Sequence, residues 1–273
     1  MILDIIANGV RLHYMDASRG LPLVFMHALG ANMDVFRNQI PSLKQCYRVI
    51  TYDLRGMGKS EAPGRRGVTY SVELHAKDLE GLLDTLNIPR AAIIAHAYGG
   101  IVAMQFAMKR PERVDAMVLV NTSARLGEPV WSQALCRAAI AELDGMEPLL
   151  EGTMTRWFAP EVHRERPQVI QFYREIVAST PPMGYAASAR SLWQLDLLEG
   201  LGQVRCPTLV VAGEKDCTTL PAHHQEIAQR IPGARLVVVK NASHTVPEEQ
   251  SEEFTRLTVE FLNRVLVASG YRE

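Results

Sequence analysis

No stretch of this 273-residue chain reaches the ~18 apolar residues of a membrane-spanning helix; charges break its longest apolar runs. A surplus of either charge is also missing, since 29 Lys and Arg face 30 Asp and Glu, for a net charge of −1. A nucleic-acid binder would show a basic stripe or excess, so that class is set aside. The four cysteines (Cys46, Cys136, Cys206, Cys217) have neither metal-ligand spacing nor the density of a disulfide scaffold. The opening residues have no basic segment ahead of an apolar one and do not read as a signal peptide. Internal repeats and low-complexity segments are absent as well. What remains is a chain with 47% hydrophobic residues, ordinary for a globular protein. It is expected to be cytoplasmic and reduced, with one to two domains at ~150 residues each.

Apolar patterning places short strands at 2–6, 11–16, 21–26 and 47–52, with a helix-like stretch at 35–43. Asn8-Gly9 reads as a hairpin turn between the first two strands. Val72, Leu79, Leu82, Leu83 and Leu86 recur at helical spacing, so 71–86 is a helix with Ser71 as N-cap. Strand and helix then alternate: 91–95, 99–109 and 116–120, and later 208–212, 221–230, 235–239 and 251–267. The later strands are continuous apolar runs such as Met117-Val118-Leu119-Val120, as strands covered on both faces require. The pattern predicts an α/β fold with a parallel sheet and helices on both faces. Between 126 and 202 the strand signal stops, and all three tryptophans fall there. That segment is too long and aromatic for a bare loop. It reads as a helical cap (126–202) inserted into a core made of 1–125 and 203–273.

The segment Ala95-His96-Ala97-Tyr98-Gly99-Gly100 lies between a buried strand and a helix. Small residues on either side of a central residue are the signature of a nucleophile elbow, a sharp strand-to-helix turn that lifts one side chain above the sheet. Here the central residue is Ala97, which has no attacking atom. Two further strand ends carry the partners such a turn needs: Asp216 after the strand at 208–212, and His244 after the strand at 235–239. The order nucleophile, acid, histidine fits this class, with His244 as general base and Asp216 fixing its tautomer. His27-Ala28-Leu29-Gly30 follows the third strand, so the Leu29 and Tyr98 amides are the expected oxyanion donors. The glycines of Asp53-Leu54-Arg55-Gly56-Met57-Gly58-Lys59-Ser60 match neither the Walker nor the Rossmann spacing.

With these motifs in this order, the sequence resembles the α/β-hydrolase superfamily over essentially its whole length. It is most similar there to 3-oxoadipate enol-lactonase-like hydrolases and small carboxylesterases. Gln39-Ile40-Pro41-Ser42-Leu43, Val120-Asn121-Thr122-Ser123-Ala124 and Pro207-Thr208-Leu209-Val210-Val211-Ala212-Gly213 carry that narrower likeness. The resemblance implies a mostly parallel eight-stranded sheet and ester or lactone hydrolysis by acyl transfer, without metal or organic cofactor. It also implies a serine at position 97 and an arginine just ahead of Asp196-Leu197, where this chain has Ala97 and Trp193. The missing arginine predicts a preference for neutral, fairly apolar substrates, with Arg125, Arg137, Arg156, Arg174 and Arg190 as the cations that could compensate.

Ala97 has two readings. Either an original serine was replaced and the chain is an inactivated hydrolase, or alanine is native and the fold serves as a decarboxylase, lyase or binding protein. The first is preferred because everything around position 97 is kept as if for attack. C–C bond hydrolases share the same motifs and form a further alternative. The expected substrate-binding set is His27, Ala28, Trp131, Trp157, Tyr173 and Trp193, with His27 shaping the oxyanion loop. Cys217 is expected to be a buried, inert thiol, Glu214 is the runner-up to Asp216, and Ser123 is a weak stand-in nucleophile. The expected partner is a small-molecule ester or lactone, with neither nucleic acid nor membrane; a homodimer is left open.

Overall fold

The computed structural model describes residues 1–268, so the last residues of the 203–273 core segment lie outside it. The chain opens with β1 (Ile2–Ala7) and β2 (Val10–Ala17), an antiparallel hairpin turning at Asn8 and Gly9, both at positive φ. β3 (Leu21–Met26) leads into a 3₁₀ turn at Met33–Phe36 and a short α1 (Ile40–Leu43). The continuous helix expected at 35–43 is therefore broken. Pro41 lacks an N–H and crowds the carbonyl one turn back, so it begins a new helix instead of extending the old one.

β4 (Tyr47–Tyr52) and α2 (Val72–Thr85) follow, and Ser71 Oγ caps α2 by accepting from the Leu74 amide at 3.0 Å. Then come β5 (Ala91–His96), α3 (Tyr98–Lys109) and β6 (Val114–Val120). Five helices separate β6 from the next strand: α4 (Glu128–Asp144), α5 (Leu150–Trp157), α6 (Pro160–Glu165), α7 (Pro167–Ala178) and α8 (Pro182–Arg190). The ends of this insert are pinned together: Leu126 N–H donates to Leu195 O (3.0 Å), and Leu197 N–H to Ala124 O (2.8 Å). β7 (Thr208–Gly213), α9 (Pro221–Arg230), β8 (Arg235–Val239), α10 (Val246–Glu249) and α11 (Ser251–Ala268) complete the chain.

The eight strands form one sheet in the order β1-β2-β4-β3-β5-β6-β7-β8, antiparallel only where β2 meets β1 and β4. Successive side chains of a strand point to opposite faces, and the core divides accordingly. Ile93 and Ala95 of β5 pack with Leu79, Leu82, Val102 and Phe106 of α2 and α3. Ala92 and Ile94 face Phe254, Leu257 and Leu262 of α11. Burial on both sides explains the continuous apolar runs of β5, β6 and β7. In register, Met26 pairs with Ala95, His96 with Val120, and Gly213 with Val239. The carboxyl ends of five parallel strands, β3, β5, β6, β7 and β8, thus lie side by side, the place where open α/β sheets present their sites. Among the described residues, no helix is long and apolar enough to cross a membrane.

Candidate active site

Ala97 occupies the turn between β5 and α3 with φ +49° and ψ −111°. A residue with a Cβ rarely adopts this backbone, at a cost on the order of 1–3 kcal/mol, so the surroundings must hold it there. They do so through its own peptide groups. Ala97 N–H donates to Val120 O (3.0 Å), while its carbonyl accepts from the Gly100 amide (3.0 Å) and from Thr122 Oγ1 (2.6 Å). Gly99 makes the turn possible, because a Cβ there would stand 2.5 Å from the Met26 carbonyl oxygen.

His244 and Asp216 meet beside this turn. His244 Nδ1–H donates to Asp216 Oδ2 at 3.0 Å, leaving Nε2 as the nitrogen free for the cavity that His244 lines. Asp216 Oδ2 also accepts from Asn121 Nδ2 (2.8 Å) and Thr219 Oγ1 (2.6 Å), and Oδ1 from the Thr218 and Thr219 amides (2.8 and 3.0 Å). Burial opposes its charge, but His244 and these donors outweigh burial and hold the carboxyl below its ordinary range. Glu214 is exposed and accepts from the Asn241 amide, so it is not a partner of His244.

The histidine is held from three sides. His96 Nε2–H donates to the His244 carbonyl at 2.8 Å. Ser243 and Thr245, its neighbours in sequence, donate their hydroxyls to Trp157 O and to Glu249 Oε1. The Trp157 ring lies 6.3 Å from the imidazole, centroid to centroid. Burial, then the neighbouring His244, pushes the His96 pKa down to about 3, so His96 stays neutral and serves as a fixed donor.

Across the cavity, the Leu29 and Tyr98 amides have no acceptor among the described residues, whereas the next amide, Gly99, is tied to His27 O at 3.1 Å. Both residues line the cavity, and amides left free at such a place are the kind of donor an oxyanion takes. His27 does not line the cavity. Leu54 N–H donates to its Nε2 (2.9 Å), so its proton is on Nδ1 and goes to Ala28 O (2.8 Å). The ring thereby fastens the β3 loop to the β4 loop. Asp53 does likewise, accepting from the Met33 and Lys59 amides at 2.8 and 2.7 Å. At Gly58 (φ +53°) a Cβ would fall 2.2 Å from Asp53 Oδ2, so the glycines of that loop serve a tight turn.

The cavity amounts to about 110 Å³, against about 10–15 Å³ for one water, so a small organic molecule fits. Core residues Ala28, Leu29, Ala97 and Tyr98 form its floor, and Trp157 is the tryptophan that reaches it. The other three aromatics of the expected set do not. On α4 the cavity is met by Val130 and Arg137, one helical stripe, from which Trp131 is rotated by a single residue. Tyr173 is buried behind Trp157, edge to face at 6.2 Å. Trp193 is 56% exposed, and its neighbour Leu192 turns inward instead. Ser123 lines the cavity, but its hydroxyl donates to Arg125 O at 2.6 Å. Cys217 is exposed, contrary to the expected buried thiol, because it follows the turn at Asp216.

Asn121 is a participant that sequence reasoning misses: it enters there only through the family likeness, and its role is identifiable only once its contact with Asp216 is seen. Of the five arginines expected as compensating cations, Arg137 and Arg156 line the cavity. The cavity wall therefore carries two of the cations expected as able to compensate for Trp193.

Comparison with known proteins agrees with this architecture. The alpha/beta hydrolase fold family matches residues 22–251. The 3-oxoadipate enol-lactonase 2 of Acinetobacter baylyi is 31% identical over 260 residues, covering 94% of this chain and 95% of that protein. The crystal structure of the enol-lactonase from Burkholderia xenovorans LB400 superimposes with a TM-score of 0.90 at 33% identity, over 96% of this chain and all of that one. A thermophilic esterase from Thermogutta terrifontis, studied with malate bound, gives 0.90 at 29% identity over 97% and 99%.

Proposed function

The chain belongs to the alpha/beta hydrolase family, and on that footing we propose that it binds a small or medium ester or lactone in an acyl-transfer site whose attacking oxygen is missing. One observation carries the reading. Ala97 is held at φ +49° on the elbow, beside an intact His244–Asp216 pair and opposite two free amides. A strained backbone persists only where its surroundings over-determine it, and here they aim position 97 at the cavity.

With serine at 97, the chemistry follows from the geometry. The hydroxyl oxygen attacks the carbonyl carbon while His244 Nε2 takes its proton. The Leu29 and Tyr98 amides hold the oxyanion, and Asp216 steadies the imidazolium. Collapse of the intermediate breaks the bond to the alkoxy oxygen, which receives the proton from Nε2. Water, deprotonated by the same nitrogen, then releases the acid. With alanine, the carbonyl can be bound and polarised, but no acyl bond forms. In enzymes with this constellation, loss of the nucleophile costs on the order of 10⁶ in rate. Helices α4–α8 act as a cap in this reading, since α4, α5, α7 and α8 all contribute to the cavity wall.

The test is Ala97→Ser assayed on a panel of esters and lactones. Hydrolysis should appear, a serine-reactive phosphonate should label position 97, and adding His244→Ala should remove most of the gain. If Ala97→Ser stays inert on the whole panel while the Ala97 chain itself transforms a substrate, the reading is overturned in favour of a native alanine chemistry.

A further inference from the structure

Glu248 is the one buried glutamate among the described residues, at 2% exposure, and it lies on α10 shortly after His244. Side chains from two distant segments meet on it. Arg37 is ion-paired with its Oε2 at 2.8 Å, and Asn38 Nδ2 donates to the same oxygen at 3.1 Å. Arg166 donates to Oε1 at 2.7 Å and to the Glu248 carbonyl at 3.3 Å. Beside them, Gln39 Nε2 donates to Pro247 O at 2.8 Å.

Both segments belong to the site. Arg37, Asn38 and Gln39 end the connection from β3 to α1, which begins with the loop carrying Leu29. Arg166 stands between α6 and α7 of the insert, and the Arg37 guanidinium also lies 3.5 Å above the Phe172 ring of α7. The carboxylate itself is part of the segment that bears the base. The Glu248 and Glu249 amides donate to Thr245 O (2.8 and 2.9 Å), and Glu249 accepts from the hydroxyls of Ser243 and Thr245 on either side of His244. Base segment, β3 connection and insert thus meet at one buried carboxylate.

A buried charge is a costly way to hold three elements together. Burial, the largest cause, raises the Glu248 pKa above its ordinary value against the opposing charges of Arg37 and Arg166. Apolar side chains of similar volume often serve stability as well or better. What charged groups add is direction, because guanidinium and carboxylate meet well only in certain orientations. Direction matters here, since a reacting group misplaced by about 1 Å can lose about a hundredfold in rate. We propose that Glu248 is a positioning residue: through Arg37 and Asn38 it sets the His244 segment against the connection that carries the Leu29 amide, and through Arg166 it braces the insert on the same point. This rests on the acyl-transfer reading for the roles of His244 and Leu29. Glu248 does not line the cavity and acts only through these neighbours.

The first measurement is steady-state kinetics in the Ala97→Ser chain. Glu248→Gln and Arg37→Met should each lower kcat about tenfold or more with KM within about threefold, whereas Arg37→Lys, which keeps a cation beside Glu248, should hold kcat within about threefold. The second uses the chain as it stands, with Ala97, and needs no turnover. Proton NMR follows the His244 Nδ1 proton bonded to Asp216, identified as the low-field resonance that His244→Gln removes. Its exchange with water should quicken about tenfold in Glu248→Gln and Arg37→Met but not in Arg37→Lys, as when one charge-assisted contact no longer resists local opening. An unchanged kcat overturns the positioning role, as does a rise in KM that matches the fall in kcat, or Arg37→Lys behaving like Arg37→Met. If Glu248→Gln does not fold by circular dichroism, the two Arg37 variants, at a partly exposed position, decide. Where Ala97→Ser is inert, the exchange rates decide, and unchanged exchange overturns the role. The two readings fail separately. An inert Ala97→Ser chain with quickened exchange in the variants removes the acyl-transfer reading alone. An active one whose kcat ignores Glu248→Gln and Arg37→Met removes the positioning role alone.

Discussion

His96 and His244 are 148 residues apart in sequence, yet His96 Nε2–H donates to the carbonyl of His244 at 2.8 Å. The residue just before the elbow thus holds the backbone of the proposed general base, tying the end of β5 to the loop that follows β8.

Removing that donor should disturb the base without touching the substrate. In an Ala97→Ser background, His96→Ala should lower kcat by about 10- to 100-fold with little change in KM, as a small misplacement of a reacting group does. The orphaned carbonyl should also cost about 1–3 kcal/mol of stability. Steady-state kinetics together with urea denaturation checks both parts; an unchanged kcat would leave His96 as packing alone.

Asp216 accepts three hydrogen bonds at Oδ2 and two at Oδ1. Asp216→Asn in the serine background should reduce kcat on the order of 10⁴-fold by favouring the wrong imidazole tautomer. The fold should survive, because the amide replaces the carboxylate with nearly the same shape. A pH–rate profile that keeps its shape and height would contradict this role.

Trp157 and Trp193 should behave in opposite ways. Trp157 is 6% exposed between the cavity and Tyr173, so Trp157→Ala should cost about 3–5 kcal/mol and weaken ligand binding. Trp193, at 56% exposure, should tolerate alanine within about 0.5 kcal/mol and leave binding unchanged. Chemical denaturation and calorimetry of the two variants make the comparison.

Acid should destabilise this protein earlier than carboxylates alone would cause. Burial is the largest cause that brings the pKa of His75 and His96 down to about 3 and that of His224 to about 4. An unfolded imidazole titrates near about 6.5, so below that pH the unfolded chain binds more protons than the folded one. Stability from these groups is complete above about pH 6.5 and falls as the pH drops towards about 4. The slope is at most about 1.4 kcal/mol per pH unit for each histidine. The depressed Asp216 adds a loss only below about pH 4. Urea midpoints taken downwards from about pH 7 should therefore decline from about pH 6, and His224→Gln should flatten the decline.

Much of this molecule is legible in local sequence because the physics there is local. A strand buried on both faces must be apolar throughout, so β5, β6 and β7 announce themselves. An elbow needs small residues at fixed offsets, so Ala95, Gly99 and Gly100 mark position 97 before any coordinates exist. His244 and Asp216 are found by their place after successive strands, since chain order and strand ends are both properties of the sequence. Pro41 also carries its message locally, although the stretch at 35–43 reads as one helix when hydrophobic spacing is weighed alone.

The lining of the cavity was decided only by tertiary packing. Hydrophobic character says that Trp131, Trp157 and Trp193 seek cover, but not which neighbour supplies it; one reaches the cavity, one is turned aside on its helix, and one stays at the surface. Charge is harder still to read. Arg190 finds Glu142 at 48 residues' separation and Arg166 finds Glu248 at 82, whereas Arg137 and Arg156 find no carboxylate among the described residues. Sequence alone determined the strands, the elbow turn and the placing of Asp216 and His244 after successive strands, because each depends on neighbours along the chain. The partners of a guanidinium and the face a tryptophan meets depend on neighbours in space, and the packed insert alone decides them.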